Sequence, residues 1–418
     1  MWPQNQCGSQ SAIDFFKNKS IFRSAAGFSW SDWPLVINNP AMSGRLYVVA
    51  GELSGDAHGA GLLLALTGMR PGLHIAGAGG PEMAAVAGAG VKNWVEDAAV
   101  MGLWEVLKHY SWFKQRFAEM LEEVKTFHPE VLLLIDYPGF NLRFSEAVRH
   151  ACPEIRQVYY ISPQVWAWNQ RRIPKMVGLL DEMLCLFPFE QAIFEAAGLQ
   201  TKFVGHPLVD ELEKTRLNDE PRDASLVGLF PGSREREVSR LFPVMIESAK
   251  RLLTWRADLR FEAPAASPKL GDQMRNMAKA AALGPHLIVT AGGSHALMQR
   301  ACCGVIASGT ATLEAAYFGL PYCLAYKLAW PTYVAGRMLV RLKHIGLVNI
   351  LAGEEVVEEF IQGHANAGRI GAALRRFLQH PDQRVKLQER LAVTAAMLGG
   401  TGAHERAARA VAAWLPEK

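Results

Sequence analysis

The sequence places charged side chains directly after several short apolar runs. Asp136 follows "VLLLI", Ser233 and Arg234 stand in "LFPGSREREV", and Glu314 lies shortly after "GVIA". A carboxylate partly withdrawn from water has a raised pKa and can act as a general base, while an arginine can hold phosphate oxygens through paired hydrogen bonds. These residue types predict proton abstraction beside a bound phosphate. Two plainer roles fit the residues as well: Asp136 capping a turn, and Arg234 lying on the surface at a helix start.

The segment "ASGTATLEAA" carries the most specific of these patterns. Ser308, Gly309 and Thr310 are predicted at a helix start, where free backbone N–H groups and hydroxyls suit a pyrophosphate. Glu314 falls in the first turn of that helix and could accept two hydrogen bonds from a ribose diol. The alternative is an acid that only complements the helix dipole. Together with Arg234, the segment favours a nucleoside diphosphate.

The segment "RLYVVAGELSGDAHGA" is typical of a strand, a glycine loop and a helix, the usual setting for a bound phosphate. Its spacing, however, is G-x-x-x-G-x-x-x-G, and its two carboxylates, Glu52 and Asp56, would repel a diphosphate. We therefore expect this loop to bring backbone close to a cleft, where Glu52, Ser54 and Gly55 meet sugars.

Tryptophans beside cations occur in two further segments. In "YYISPQVWAWNQRR", Trp166 and Trp168 could stack on a sugar ring or hold lipid, although an aromatic core is the expectation for at least one of them. This acceptor-binding role remains open from the residues alone.

The stretch 103–125 has helical periodicity with an apolar core stripe. Trp104 and Trp112 fall off that stripe and share the other face with Lys108 and Arg116. Exposed tryptophans among cations are typical of a helix lying on an anionic membrane surface. A surface for a protein partner is the alternative.

Short apolar runs alternate with helical stretches from Met42 onward, which predicts an α/β protein with one or two doubly wound parallel sheets. The strand candidates are 45–50, 73–77, 131–135, 157–161, 183–187, 202–204, 226–230, 259–263, 286–290, 304–307 and 321–325. Helical patterns include 59–69, 189–197, 236–254, 312–318 and 354–362. Because strand, small-residue loop and helix recur near residues 46 and 226, two Rossmann-like domains facing across a cleft are the simplest architecture.

Composition excludes several classes of protein. The 418 residues are half hydrophobic and one fifth charged, with a formal charge of +4 that is too small to indicate nucleic acid. No window approaches the roughly 20 apolar residues that a spanning helix needs. Six cysteines without a C-x-x-C pair indicate a reduced, cytoplasmic protein without structural zinc. Residues 1–41 show no defensible period, so we expect a poorly ordered extension or a start codon placed too early; a transit peptide or membrane-touching arm is the alternative.

Taken together, these motifs closely resemble those of the lipid-A-disaccharide synthase family, membrane-surface glycosyltransferases of lipid A assembly. The resemblance runs in order through "VAGELSGDAHGA", "AVMGLWEVL", "IDYPGFN", "YISPQVWAWNQRR", "LFPFE", "FVGHPLVD", "LFPGSREREV", "ASGTATLEAA" and "NILAG". It covers essentially everything from about Gly44 to the C-terminus and leaves residues 1–41 outside.

The resemblance implies a GT-B fold and an inverting transfer of 2,3-diacylglucosamine from UDP to 2,3-diacylglucosamine 1-phosphate. It implies four segments: an N-terminal extension (1–41), an N-terminal Rossmann-like domain on the acceptor and membrane side (42–205), a C-terminal UDP-sugar domain (206–390) and a C-terminal helix that returns to the first domain (391–418). It also implies peripheral association with the cytoplasmic side of an anionic inner membrane, and a homodimer is a further expectation.

By resemblance, Asp136 is the first candidate for the general base and Glu52 the second. Arg234 would neutralise the leaving diphosphate, and Glu314 would hold the ribose. The remaining residues expected around UDP are Ser233, Ser308, Gly309, Thr310 and Asn349. UDP-sugar is a substrate, so no cofactor is implied, and no D-x-D stands where a metal-dependent GT-A site would require it; we expect no metal.

Two alternative hypotheses for the function fit the sequence as well. One is another GT-B enzyme of UDP-sugars, either a lipid-linked N-acetylglucosaminyl transferase or a UDP-N-acetylglucosamine 2-epimerase. The other is a non-catalytic sugar-nucleotide sensor or a membrane scaffold, for which Asp136 would be dispensable.

Overall fold

The computed structural model describes residues 44–95, 110–217, 221–330, 333 and 343–416. The predicted extension 1–41 and two of the predicted membrane contacts, Trp104 and Lys108, lie outside the described residues. Within the described part, no helix is both long and apolar enough to cross a bilayer.

The first half of the chain builds a seven-stranded parallel sheet in the order β3-β2-β1-β4-β5-β6-β7. Its strands are β1 (Arg45–Ala50), β2 (His74–Gly79), β3 (Val91–Asn93), β4 (Val131–Ile135), β5 (Arg156–Tyr160), β6 (Glu182–Cys185) and β7 (Thr201–Phe203). Its helices are α1 (Leu53–Met69), α2 (Pro81–Ala87), α3 (Tyr110–Phe127), α4 (Pro138–Ala151), α5 (Val165–Trp168), α6 (Ile173–Leu179), α7 (Pro188–Ala196) and α8 (Leu208–Lys214). Every residue of β4 is buried, because helices cover both faces of the sheet.

The second half builds a six-stranded parallel sheet in the order β10-β9-β8-β11-β12-β13. Its strands are β8 (Asp223–Phe230), β9 (Arg260–Ala265), β10 (Leu287–Ala291), β11 (Ala301–Ala307), β12 (Tyr322–Tyr326) and β13 (Glu359–Ile361). Its helices are α9 (Glu235–Trp255), α10 (Pro268–Ala280), α11 (Ser294–Arg300), α12 (Ala311–Tyr317), α13 (Leu347–Ala352), α14 (Ala367–Gln379) and α15 (Pro381–Ala396), followed by α16 (Ala403–Ala412). The prediction of doubly wound parallel sheets is confirmed.

Strand order reverses between β1 and β4 in the first sheet and between β8 and β11 in the second. At such a switch point the connections leave for opposite faces, and ligands bind in the crevice beyond the carboxyl ends of the strands. Glu52 and Asp136 follow β1 and β4, whereas Arg234 and Ser308 follow β8 and β11. The fold therefore brings the predicted chemistry to one switch point in each sheet.

Two short edge strands were not predicted. β3 lies in a stretch without an apolar run, and β13 falls within 354–362, for which a helix was predicted. That helix prediction is wrong. The buried Val356, Val357 and Phe360 mimic helical spacing, but the Asn349 side chain accepts hydrogen bonds from the backbone of both valines, at 2.8 and 2.9 Å, so these N–H groups take no part in a helix.

The chain passes between the two halves twice, and the two connecting segments lie side by side. The His206 N–H donates to the Leu398 carbonyl at 2.8 Å, and the Asp210 carboxylate accepts from the Gly402 N–H at 2.8 Å. Beyond this point α16 packs on α1, so closely that a Cβ on Gly61 would lie 2.5 Å from the His404 ring. The C-terminal segment thus joins the second sheet's half to the first.

The turn between β4 and α4 holds Asp136 in an uncommon conformation. Asp136 and Tyr137 have φ values of +46° and +49°. These values lie in the left-handed region of backbone conformation, which residues other than glycine rarely occupy. The Asn141 amide secures the turn by donating to the Ile135 and Asp136 carbonyls at 3.1 and 2.7 Å. On its other side the Tyr137 ring occupies space that only a glycine leaves free, since a Cβ on Gly51 would stand 2.1 Å from Cδ1 of the ring.

We expect Gly51→Ala to displace the Tyr137 ring and to lower the free energy of unfolding by about 1–3 kcal/mol, the usual cost of overpacking. Gly68→Ala is the matched control, because a Cβ there meets no atom within 4 Å. It should leave stability unchanged or raise it by about 0.5–1 kcal/mol, as glycine replacement within a helix does. Urea unfolding of both variants measures the difference, and equal stabilities would contradict the packing described.

Candidate functional site

A large cavity lies at the carboxyl edge of the second sheet. It has a volume of about 1260 Å³, and its walls come from the segments after β8, β10 and β11. Gln164, from the first sheet's half, lines it too, so both halves contribute to one space. Six of the seven residues predicted around UDP line this cavity: Ser233, Arg234, Ser308, Gly309, Thr310 and Glu314.

Arg234 stands at the start of α9 with its guanidinium largely in the open. The side chain is 82% exposed, and its one recorded ion pair among the described residues is with Glu237, at 3.2 Å. The preceding Gly232 has φ +105°, and a Cβ there would lie 2.3 Å from a Glu237 oxygen. An exposed pair of this kind contributes little, about 0–1 kcal/mol, so the guanidinium can turn to a phosphate at small cost.

The segment after β11 forms the opposite wall. Gly309 has φ +155°, and a Cβ there would meet nothing within 4 Å, which leaves its backbone open to a ligand. The Thr312 hydroxyl donates to the Gly309 carbonyl at 2.7 Å and secures the start of α12. Ser308 and Thr310 therefore present hydroxyls and helix-start N–H groups to the cavity, as a pyrophosphate requires.

Glu314 is paired with a histidine that sequence reasoning missed. Nε2 of His295 lies 3.2 Å from the Glu314 carboxylate, and Nδ1 lies 3.0 Å from the Thr215 hydroxyl. Burial, assisted by Glu211, raises the pKa of Glu314, while His295 opposes that shift. The signal for His295 was present: "GGSH" follows an apolar run and begins a helix, as the other cavity segments do.

The structure does not bring Asn349 into the cavity. Its side chain is fully buried, donates to the Val357 carbonyl and Glu359, and accepts from two backbone N–H groups. All four hydrogen bonds of the amide are thus made inside the protein. The prediction that Asn349 contacts UDP is corrected accordingly: this residue shapes the chain beside β13.

Asp136 and Glu52 lie near one another at the switch point of the first sheet. Burial raises the pKa of Asp136, the Glu52 carboxylate raises it further, and the Tyr137 N–H partly opposes the shift. Glu52 is exposed at the N-terminal cap of α1. A carboxylate with a raised pKa beside a second acid is suited to proton abstraction.

The glycine loop after β1 serves packing more than ligand contact. Asp56 is buried and accepts from the Gly80, Glu82 and Met83 N–H groups at 2.7–3.0 Å, which caps the start of α2. Gly55 is buried against Ala50 and Ile135, so its prediction as a sugar contact is wrong. Glu52 and Ser54 are exposed, and of the two loop carboxylates Glu52 alone remains available to repel a diphosphate.

The two tryptophans of "QVWAW" have different environments. Trp166 is buried, packs edge-on against Phe189 at 4.8 Å between ring centroids, and donates from Nε1 to Glu190 at 2.9 Å. Its prediction as an acceptor contact is wrong, because the side chain is buried and its polar group is bonded inside the protein. Trp168 is 48% exposed, with the Arg172 guanidinium 5.2 Å from its ring centroid, and remains available to a ligand.

Trp112 is not the exposed residue that the helical wheel predicts. It is partly buried and stacks on Trp94 at 6.3 Å between ring centroids, with Phe113 edge-on at 5.0 Å. The buried face of α3 is wider than the predicted apolar stripe, because Trp112 also packs against aromatic residues. Arg116 lies over Trp112 at 5.9 Å and forms an exposed ion pair with Glu119 at 2.8 Å, so its membrane contact stays a prediction.

The comparisons with known proteins agree with this architecture. The family model for lipid-A-disaccharide synthetase matches residues 46–413. Lipid-A-disaccharide synthase of Geobacter sulfurreducens is 40% identical over 376 residues, 88% of this chain and 96% of the relative. Lipid-A-disaccharide synthase 1 of Legionella pneumophila is 35% identical over 383 residues, 90% of this chain and 98% of the relative.

Solved structures support the fold. A transferase from Siraitia grosvenorii in complex with UDP superposes with a TM-score of 0.52 at 13% identity, covering 88% of this chain and 99% of that one. A UDP-GlcNAc 2-epimerase from Neisseria meningitidis, bound to UDP-GlcNAc, gives 0.50 at 11% identity, with 88% and 98% covered. At these identities the likeness shows two Rossmann-like halves and no more. On the family match and the near full-length relatives, the chain belongs to the lipid-A-disaccharide synthetase family.

Proposed function

We propose that this protein transfers 2,3-diacylglucosamine from its UDP derivative to the 6-hydroxyl of 2,3-diacylglucosamine 1-phosphate. The products are a β-1,6-linked disaccharide 1-phosphate, the lipid A precursor, and UDP. The observation that carries the proposal is the cavity of about 1260 Å³, in which six of the seven predicted nucleotide contacts meet Gln164 from the other half. Both relatives described above bear the name of this reaction.

UDP occupies the second sheet's side of the cavity in this proposal. The diphosphate lies between Arg234 and the start of α12, where Ser308 and Thr310 add hydroxyl and N–H donors. Glu314, oriented by His295, accepts hydrogen bonds from the ribose hydroxyls. UDP-sugar is consumed as a substrate, and none of these contacts requires a metal ion.

Bond exchange takes place toward the first sheet's side. The acceptor 6-hydroxyl oxygen attacks the anomeric carbon of the donor, and its proton passes to the Asp136 carboxylate. The bond from that carbon to the diphosphate oxygen breaks, with inversion, and the electron pair leaves on UDP. Arg234 stabilises the negative charge that develops on the diphosphate. Electrostatic stabilisation of this kind is usually the largest single contribution to catalysis. Glu52 keeps the pKa of Asp136 raised and so makes it a better base.

We also propose that the reaction occurs at the cytoplasmic face of the inner membrane, with the protein peripherally attached. Both substrates carry acyl chains and reside in a bilayer, which supports a surface location. Of the residues first considered for this contact, Trp104 and Lys108 lie outside the described part of the chain. Trp168, exposed beside Arg172, is the described aromatic that can touch an acylated acceptor.

Replacing the base tests the assignment. Asp136→Asn should lower kcat at least about a hundredfold, the usual contribution of a general base, while UDP binding measured by calorimetry persists. Asp272→Asn, which changes an exposed aspartate on α10, is the matched control and should retain full turnover. Undiminished turnover in Asp136→Asn would refute Asp136 as the base.

The pH profile separates Asp136 from Glu52 as the base. Because the base must be ionised, kcat/KM falls as the pH drops through the raised pKa of Asp136, above the ordinary value of about 3.9. Glu52→Gln removes one cause of that shift. The acidic limb of the variant's kcat/KM profile should therefore move to lower pH, with activity at neutral pH retained. Glu82→Gln, an exposed acid at the start of α2, should leave the limb unmoved. Loss of activity at every pH in Glu52→Gln would make Glu52 the base.

A further inference from the structure

A second, smaller cavity lies beside the Asp136 turn, between α4 and α6. Its volume is about 160 Å³, too small for a nucleotide or an acyl chain. Leu142, Met176 and Leu179 form an apolar floor, and all three are buried. The cavity is separate from the nucleotide site, with which it shares no lining residue.

Cations surround the mouth of this cavity. Arg143, Arg172 and Lys175 line it, and Lys175 is paired with Glu146 at 2.7 Å. Within the described ranges, neither Arg143 nor Arg172 has a carboxylate within 4.0 Å; Arg172 contacts the Trp168 ring instead. The three positive side chains are balanced by a single carboxylate, that of Glu146. The mouth of the cavity therefore carries an excess of positive charge.

The backbone adds to that charge. Gly139, in the first turn of the 14-residue helix α4, lines the cavity, and the positive end of the helix dipole lies there. A Cβ on Gly139 would meet no atom within 4 Å, so the approach to this helix end is open. Guanidinium groups beside the accessible N-terminus of a helix are suited to bind a phosphate monoester.

We infer that this cavity binds the anomeric phosphate of the acceptor, an inference that rests on the proposed function. Gly139 follows Asp136 by three residues, so their Cα atoms are at most about 11 Å apart. In the acceptor, C1 carries the phosphate and C5 carries the CH2OH group with the 6-hydroxyl, and both carbons flank the ring oxygen, so the two groups lie at the same edge of the hexose. A phosphate held at Arg143 and Arg172 thus keeps the 6-hydroxyl within reach of the Asp136 turn. The exposed Trp168 stands beside the same ring of charges.

The test compares two acceptors, 2,3-diacylglucosamine 1-phosphate and the corresponding 1-methyl glycoside, at saturating UDP-diacylglucosamine. The double variant Arg143→Gln, Arg172→Gln should lose about tenfold or more in kcat/KM with the phosphorylated acceptor, since charge-assisted hydrogen bonds are lost. It should be unchanged with the glycoside and in its KM for the UDP-sugar. Arg251→Gln, an exposed arginine on α9, is the control and should preserve the preference for phosphate. An unchanged preference in the double variant would overturn the inference.

A second variant protects the test against misfolding. Gly139→Asp puts a carboxylate into open space at the cavity, in a first-turn position where an acid suits the helix. It should remain folded and weaken the phosphorylated acceptor alone, whereas the uncharged Gly139→Asn should keep most of the preference. Equal effects of the two side chains on both acceptors would refute a phosphate site.

Two further measurements keep the outcomes distinct. Sedimentation with phosphatidylglycerol vesicles tests the other source of phosphate: loss of vesicle binding in the double variant, with its acceptor preference intact, would assign the cavity to a lipid headgroup and overturn the inference. Calorimetric titration with the acceptor alone is independent of turnover. Weaker binding by the double variant supports the site even if the wild-type protein transfers nothing, a result that would refute the proposed function only.

Discussion

Parallel strands all end at the same edge of their sheet, and the rest of this structure depends on that constraint. Where the strand order reverses, between β1 and β4 and between β8 and β11, connections leave for opposite faces and a crevice opens at the edge. Each crevice receives the residues that follow two neighbouring strands, however far apart they are in sequence. Asp136 and Glu52 meet in this way, and so do Arg234 and the segment from Ser308 to Glu314.

The two crevices carry different chemistry, and in the proposed reaction this division keeps the base apart from the leaving diphosphate. Carboxylates dominate the first, where burial and Glu52 raise the pKa of Asp136. The second offers a guanidinium, hydroxyls and helix-start N–H groups, which suit a diphosphate. A cation in contact with the base would lower the pKa of that base. In the proposed transfer, Asp136 lies at one switch point and Arg234 at the other, so the guanidinium does not pair with the base.

The fold followed from the sequence because its central strands are continuous apolar runs, as in "VLLLI". The strands β3 and β13 escaped prediction because three residues at a sheet edge bury too little to leave a pattern. Asp136, Arg234 and Glu314 could be selected because they follow such runs. Asp56, Trp166 and Asn349 met similar criteria, yet each satisfies its polar groups inside the protein. A sequence motif gives the position of a polar residue along the chain, whereas the hydrogen-bond partner of that residue depends on the tertiary packing. The pairing of His295 with Glu314 could not be predicted from the sequence for the same reason.

The most direct test of this account is product analysis. Purified protein is incubated with UDP-2,3-diacylglucosamine and 2,3-diacylglucosamine 1-phosphate, and products are followed by mass spectrometry with the linkage determined by NMR. The account predicts UDP and a tetraacylated disaccharide 1-phosphate in equal amounts, joined by a β-1,6 linkage. Conversion of the UDP-sugar to an epimer without disaccharide, or an unchanged mixture, would contradict it.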